Sequence, residues 1–226
     1  MGAPKGEELE AALREAIESA LQLLIAHGPF ALTIERYLER DPHPGGQEAF
    51  IVRIQFPWYP SQLCRIKIEI THDEPVLLAP ALRPLIHGYE ETLDTQISCY
   101  RLEEIVVEKM RSLLQTHQKL IARGWNRPRA RDYYDLWRIL SAFGDSLERG
   151  QLMEMLKQKS VHRQVTFSSL GDFFTEELLN ETRTHWGRSL GPFVTDLPGC
   201  EEAIEDLKLR VPIFFPDLSS PSAGRE

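Results

Sequence analysis

Three charged residues in the middle of the chain have types and spacing that suit the binding of a phosphate group. Lys109 falls within the apolar stripe of a predicted helix, YRLEEIVVEKMRSLLQ, where hydrophobic residues recur every three or four positions. Asp132 and Asp135 open a second predicted helix, RARDYYDLWRILSAF, and flank its own apolar stripe. A lysine that points into a polar cleft can hold a phosphate as a point charge. These three residues are therefore the first candidates for chemistry.

Each of these residues also has a purely structural explanation. Burying a lone ammonium is costly, so the stem of Lys109 can pack among apolar residues while its amine reaches the solvent. Acidic residues in a first helical turn complement the helix dipole and cap free amides, which accounts for Asp132 and Asp135. Arg129 and Arg131 could also pair with the two aspartates in a salt-bridge cluster. Yet Asp132 lies near the middle of the stripe, so the pattern alone leaves structure and function open.

A further carboxylate, Glu69, lies on a predicted strand at residues 65–71. Isoleucines alternate along one face of this strand, and Glu69 shares the other face with Lys67, so a solvated sheet face also explains it. The chain contains no Gly-rich phosphate loop, no GxSxG and no HExxH motif, and its seven histidines are scattered. Its three cysteines lie far apart, which indicates neither a disulfide framework nor a cysteine metal site.

The elements that must position these residues predict an α+β fold. Alternating hydrophobicity predicts an antiparallel meander with one polar face, its strands at residues 33–39, 50–56 and 65–71. Shorter strands are expected at residues 76–78 and 96–99. Besides the two central helices, helical periodicity predicts helices at residues 7–27, 145–159, 167–186 and 199–210. We therefore expect a sheet-containing domain at 1–99, a helical domain at 100–216, and a disordered Ser/Pro/Gly tail at 217–226.

The charge balance bears on the kind of partner. The 226 residues carry a formal net charge of −8, which argues against extensive wrapping of nucleic acid. A local basic site remains, formed by Lys119, Arg123, Arg127, Arg129, Arg131 and Arg138. No apolar run approaches the roughly 18 residues of a membrane span, and the N-terminus lacks the pattern of a signal peptide. No membrane partner is expected, and a reducing, cytoplasmic setting is the natural interpretation.

The two central helices together resemble the C-terminal signature of the AbiEii/AbiGii-type nucleotidyltransferase toxins. That signature is a helix ending E-K-x-R-A-L-L, a short basic loop, and then A-R-D-x-Y-D-L-W. Here the runs LEEIVVEKMRSLLQ and ARDYYDLWRIL occur in the same order and at the same separation. The strand CRIKIEI and the late helices around Phe173 and Trp186 add to the similarity, which spans residues 10–210.

The resemblance implies a nucleotidyltransferase core of the DNA polymerase β type, partial in this chain, with an antiparallel or mixed sheet and a helical C-terminal domain. Such enzymes transfer a nucleoside monophosphate from a nucleoside triphosphate to an acceptor, using carboxylate-bound Mg²⁺. Members of the family are paired with an antitoxin, act in abortive infection, and in some cases modify the acceptor end of tRNA. A nucleoside triphosphate, tRNA and an antitoxin are thus the partners that the resemblance suggests.

The resemblance also assigns roles to residues of this chain. Lys109 matches the motif lysine that contacts the nucleotide phosphates, and Arg129 and Arg131 belong to the adjoining basic segment, which is assigned to nucleotide binding. Asp132 matches the aspartate that acts near the acceptor or as a base, and Asp135 is the second aspartate of that motif, so Lys109, Asp132 and Asp135 form the implied catalytic set. Glu69 matches the strand position where this fold places a third carboxylate, as a metal ligand.

One departure from the family pattern concerns the metal site. The family begins that site with a Gly-Ser turn and an Asp-x-Asp strand, and neither motif occurs anywhere in this chain. Phosphoryl transfer depends on positioning and on neutralisation of charge by the metal, which Glu69 alone cannot supply. We therefore expect the chain as it stands to be inactive, either because it is N-terminally incomplete or because it is a degenerate module that binds a nucleotide, RNA or a protein without turnover.

Overall fold

The computed structural model describes residues 4–38, 46–86, 88, 90, 94–124 and 127–219, and its first unit, Met1–Pro75, combines one helix with three strands. Helix α1 spans Glu7–Leu24. The strands are β1 (Ala31–Tyr37), β2 (Gln47–Gln55) and β3 (Cys64–Thr71). They pair antiparallel in the order β1-β2-β3, which confirms the predicted meander. Residues 39–45, between β1 and β2, lie outside the described residues.

The central strand differs from the prediction of one polar face. Ala49 and Ile51 on that face are buried, as are Phe50 and Val52 on the opposite face. In the register of β2 and β3, Lys67 lies opposite Ile51. Directly opposite side chains on neighbouring strands lie close enough for a long one to shield a smaller one from water, and a central strand has such neighbours on both sides.

The second unit, Val76–Glu226, consists of a two-stranded hairpin and a set of packed helices. Its strands are β4 (Ala81–Pro84) and β5 (Gln96–Cys99), which pair antiparallel. Among the described residues of this unit, five α-helices follow: α2 (Leu102–Arg123), α3 (Ala130–Ala142), α4 (Leu152–His162), α5 (Glu176–Leu190) and α6 (Cys200–Phe214). The apolar stripes of these helices meet in one core, to which α2 contributes Val106, Val107, Met110, Leu113 and Leu114. The observed architecture is α+β, as the sequence predicted.

Several predicted boundaries in this unit move for identifiable reasons. The strand expected at 76–78 is irregular, because the backbone N–H groups of Leu77 and Leu78 donate to the Glu104 carboxylate instead of to a neighbouring strand. Helix predicted at 167–186 is interrupted: Leu170–Phe173 is a 3₁₀ turn with a Ser169–Asp172 capping box, and α5 begins only at Glu176.

The remaining helices also differ at their ends. The helix predicted at 145–159 starts at Leu152, after two 3₁₀ turns, and α6 continues beyond residue 210 through Pro212 to Phe214. Pro212 removes one backbone donor, but Phe214 and Phe215 are buried and anchor this end of the helix.

The domain boundary at residue 99 and the tail at 217–226 remain predictions. The chain divides into its two compact units after Pro75. Residues 77 and 78 belong with the helices, because their N–H groups donate to Glu104 of α2. Pro216–Ser219 forms a 3₁₀ turn with Leu218 buried, whereas residues 220–226 lie outside the described part. None of the helices in the described ranges is long and apolar enough to cross a membrane.

Candidate functional site

Lys109 lies between the two aspartates that the sequence singled out. Its Nζ atom is 3.0 Å from Asp132 Oδ1 and 2.6 Å from Asp135 Oδ2, and its side chain is 19% exposed. Helix α2 supplies the lysine and the first turns of α3 supply both carboxylates. The apolar stripes of the two helices pack against one another, which brings the charged residues that interrupt or flank these stripes together. Lys109 is thus neither alone in the core nor free in the solvent; it is ion-paired.

The electrostatic surroundings keep this lysine charged. Burial lowers the pKa of Lys109, but the negative charges of Asp132 and Asp135 more than offset that effect, so its pKa is raised above the ordinary value. An ammonium at this position persists at neutral pH. It can therefore act as a fixed positive charge but not as a general base.

Asp132 is held from several sides. One of its oxygens accepts the Lys109 bond, and the other lies 3.1 Å from an Nη atom of Arg129 and 3.2 Å from the Ser112 hydroxyl. Arg129 is itself fixed, because its Nε donates to the Thr116 hydroxyl at 2.7 Å. With its side chain 16% exposed, Asp132 is an anchored, charge-balanced carboxylate. This confirms the predicted pairing of Arg129 with an aspartate.

Asp135 is held far less firmly. Its side chain is 43% exposed, and within the described ranges Lys109 is its only ion-pair or hydrogen-bond partner. We call the five residues Lys109, Ser112, Arg129, Asp132 and Asp135 the Lys109 cluster. Its two cations and two carboxylates balance, so the cluster carries no net charge.

Arg131 does not join this cluster, so the expectation that it pairs with the aspartates is wrong. Its Nε lies 3.3 Å from the backbone carbonyl oxygen of Ser189, and its guanidinium lies over the Phe193 ring at 4.8 Å. The helical period explains this, because Arg131 precedes Asp132 by one residue and therefore projects about 100° away from it. Arg131 instead contacts the C-terminal end of α5 and the turn that follows.

Glu69 lies in the first unit, on β3. Its Oε1 atom accepts a hydrogen bond from the Gln47 amide at 2.9 Å and is 2.8 Å from the Lys67 ammonium. In the residues that the structure describes, no group of three His, Cys, Asp or Glu side chains could hold a metal ion. At the Lys109 cluster an ammonium already occupies the space between two carboxylates. The described residues therefore do not fit a Mg²⁺ site.

The sequence reasoning missed a second group of charges on the other side of α2. Glu104, Glu108, Arg111 and Lys159 form what we call the buried ion cluster. Lys159 Nζ is 2.9 Å from Glu104 Oε2 and 3.6 Å from Glu108 Oε2, and Arg111 pairs with Glu108. Three of these residues recur on α2 at spacings of four and three, which places them on one helix face and was the available signal. Lys159 comes from α4, and its position could not be read from that spacing.

The comparison with known families gives one match. A family model described as the nucleotidyl transferase AbiEii toxin of type IV toxin–antitoxin systems matches residues 5–208. No curated protein and no solved structure matches the chain. The matched range runs from the start of α1 into α6 and includes every residue named above as a site candidate.

Proposed function

The chain belongs to the AbiEii nucleotidyltransferase toxin family, as its sequence motifs predicted, and we propose that Lys109 in this chain contacts the phosphates of a nucleoside triphosphate. The observation that carries the proposal is the state of this lysine: it is charged, oriented by Asp132 and still partly exposed. A fixed ammonium of this kind neutralises phosphate charge without any change in its own protonation.

Membership of the family implies a nucleotide substrate and an antitoxin partner in general terms. We propose that the reaction is transfer of a nucleoside monophosphate to an acceptor, and that this acceptor is an RNA such as tRNA. The basic segment that includes Arg123, Arg127 and Arg129 supports an RNA acceptor, because cations displace counterions from the phosphate backbone.

The other site residues fit distinct parts in this proposal. Asp132 positions Lys109 and Arg129 and is the candidate base of the motif, while Arg129 and Arg131 are candidate nucleotide contacts. Asp135 is the more exposed carboxylate and the one that an acceptor or nucleotide would reach first. Mg²⁺ remains the proposed cofactor of the family reaction, with Glu69 as a candidate ligand, although the described residues do not build a site for it.

A second candidate function follows from the motifs that this sequence lacks. The Gly-Ser and Asp-x-Asp motifs are absent, so we propose that the 226 residues of this chain by themselves bind a nucleotide, RNA or a protein without transferring a nucleotidyl group. The Lys109 cluster supports the absence of transfer, because its carboxylates are paired with Lys109 and Arg129 and, within the described residues, build no group that could hold a metal ion. We propose a cytoplasmic location for either function, and the free thiols of Cys64, Cys99 and Cys200 are compatible with a reducing compartment.

One experiment separates these proposals. The chain is incubated with Mg²⁺, total tRNA and each α-³²P-labelled nucleoside triphosphate in turn, and both nucleotide binding and labelled RNA are measured. Lys109→Met is compared with Lys157→Met, the same substitution at an exposed position on α4. We expect Lys109→Met to weaken nucleotide binding, but not to abolish it, and Lys157→Met to leave it unchanged.

The readouts then divide the two functions. Labelled RNA that depends on Lys109 supports transfer, whereas Lys109-dependent binding without labelled RNA supports the non-catalytic module. Unchanged nucleotide affinity in Lys109→Met would refute the phosphate role of this lysine.

A further inference from the structure

The two aspartates that contact Lys109 differ in the number of contacts that each would break if its side chain moved away. Asp132 has contacts to Lys109, Arg129 and Ser112 and is only 16% exposed, so its displacement would break three contacts at once in a partly buried site. Asp135 has one described partner and is 43% exposed, so its carboxylate can turn into solvent and become hydrated. A rearrangement in this cluster will therefore involve Asp135 before it involves Asp132.

The position of Asp135 conflicts with a phosphate on Lys109. A carboxylate oxygen 2.6 Å from Nζ already occupies one of the directions in which the ammonium can donate. A phosphate oxygen that reached the same ammonium would lie within a few ångströms of this carboxylate. Like charges so close repel strongly where water is partly excluded. The two anions therefore compete for Lys109.

We propose that Asp135 is an internal competitor for Lys109 and that it sets the specificity of the site for multiply charged phosphates. This inference rests on the proposed phosphate role of Lys109. Every incoming anion must displace the same carboxylate, which acts as a threshold on binding. A triphosphate offers several charged oxygens and exceeds the threshold, whereas inorganic phosphate does not. Asp132 stays in place and keeps Lys109 oriented during the exchange.

The test measures binding of inorganic tripolyphosphate and of inorganic phosphate to the full chain by isothermal titration calorimetry. Asp135→Asn removes the charge but keeps the shape of the side chain. Because the competing charge is gone, we expect it to tighten tripolyphosphate binding about tenfold, which corresponds to about 1.4 kcal/mol, and to make the binding of inorganic phosphate measurable. Asp145→Asn is the matched control, since Asp145 is fully exposed and the change in net charge is identical.

A double variant distinguishes competition from simple charge repulsion. In Lys109→Met/Asp135→Asn the cluster keeps Arg129 and Asp132 and remains neutral, so the double variant should fold. If Asp135 acts by occupying Lys109, adding Asp135→Asn to Lys109→Met should change tripolyphosphate affinity less than twofold.

The outcomes separate this inference from the proposal on which it rests. Wild-type affinity in Lys109→Met would overturn the phosphate role itself. Weakened binding in Lys109→Met, together with no gain in Asp135→Asn, would overturn only the competitor role. Equal gains from Asp135→Asn in the presence and absence of Lys109, or an equal gain from Asp145→Asn, would also overturn it.

Discussion

Lys159→Met removes the ammonium from the buried ion cluster while nearly conserving side-chain volume. In the native protein this ammonium lies 2.9 Å from Glu104, and both side chains are only 3% exposed. The substitution leaves the Glu104 carboxylate buried without its cation. Two contacts remain, because the N–H groups of Leu77 and Leu78 still donate to the other carboxylate oxygen.

The magnitude follows from that burial. Breaking a buried ion pair by removing one partner typically costs about 3–5 kcal/mol in the free energy of unfolding. Since two backbone donors still stabilise Glu104, we expect Lys159→Met to cost about 3 kcal/mol, at the lower end of that range. Adding Glu104→Gln should restore much of that loss, because the double variant buries neither charge. We expect it to lie within about 2 kcal/mol of the wild type.

Urea unfolding followed by far-ultraviolet circular dichroism at pH 7 measures these differences. Lys157→Met is the matched control: Lys157 is two residues away on α4, and its pair with Asp217 is exposed on both sides. Its loss should change the free energy of unfolding by less than about 0.5 kcal/mol. If the costs of Lys159→Met and Glu104→Gln simply add in the double variant, the two charges do not interact, and the predicted rescue is refuted.

Three further predictions concern single positions. The pKa of Glu48 is lowered to about 2, chiefly because its carboxylate accepts a hydrogen bond from the Gly6 N–H group, so its stabilising contribution is complete above about pH 4.5 and is lost as the pH falls towards 2. The difference in unfolding free energy between the wild type and Glu48→Gln, from denaturant titrations at several pH values, should therefore shrink over that range. A constant difference would contradict this prediction. Gly124→Ala should lower the unfolding free energy by about 1 kcal/mol, because Gly124 ends α2 at φ +72°, a backbone conformation that is strained for alanine. An added Cβ would meet open space, so the cost comes from the backbone and not from a clash, and an unchanged urea midpoint would exclude such strain. Tyr133→Phe should cost about 1–2 kcal/mol in the same assay, since it leaves the buried Phe173 carbonyl without its donor, and a neutral effect would mean that water replaces the hydroxyl.

The Lys109 cluster shows how far periodicity alone can reach. The 3.6-residue repeat placed Lys109 inside an apolar stripe and Asp132 near the middle of another, but it left open whether the Lys109 ammonium reaches the solvent or enters a polar cleft. Which aspartate is anchored and which is exposed depends on the rotation of α3 against α2. That rotation is set by packing between side chains distant in sequence, so a local pattern does not contain it.

The errors in the predicted elements have one local cause and two that are distant in sequence. Residues 167–186 have helical hydrophobicity throughout, but the Ser169–Asp172 capping box starts a separate turn, and α5 begins afterwards at Glu176. The strand prediction at 76–78 rested on three apolar residues and could not include a glutamate 26 residues further along. Lys159 was placed on a helix correctly, but its burial depends on α2, which supplies both of its carboxylate partners.

Helix α2 is engaged by charged partners on two of its sides, and this limits how its length can vary in evolution. Glu108 and Lys109 are adjacent in sequence, yet the first pairs within the buried ion cluster and the second with the aspartates of α3. One residue inserted between them would turn everything beyond it by about 100°, and one or the other set of pairs would be lost. We therefore expect relatives to accept substitutions along α2 far more readily than insertions or deletions between residues 104 and 112. The spacing of the charged residues in this segment of α2 therefore fixes the positions of both α3 and α4.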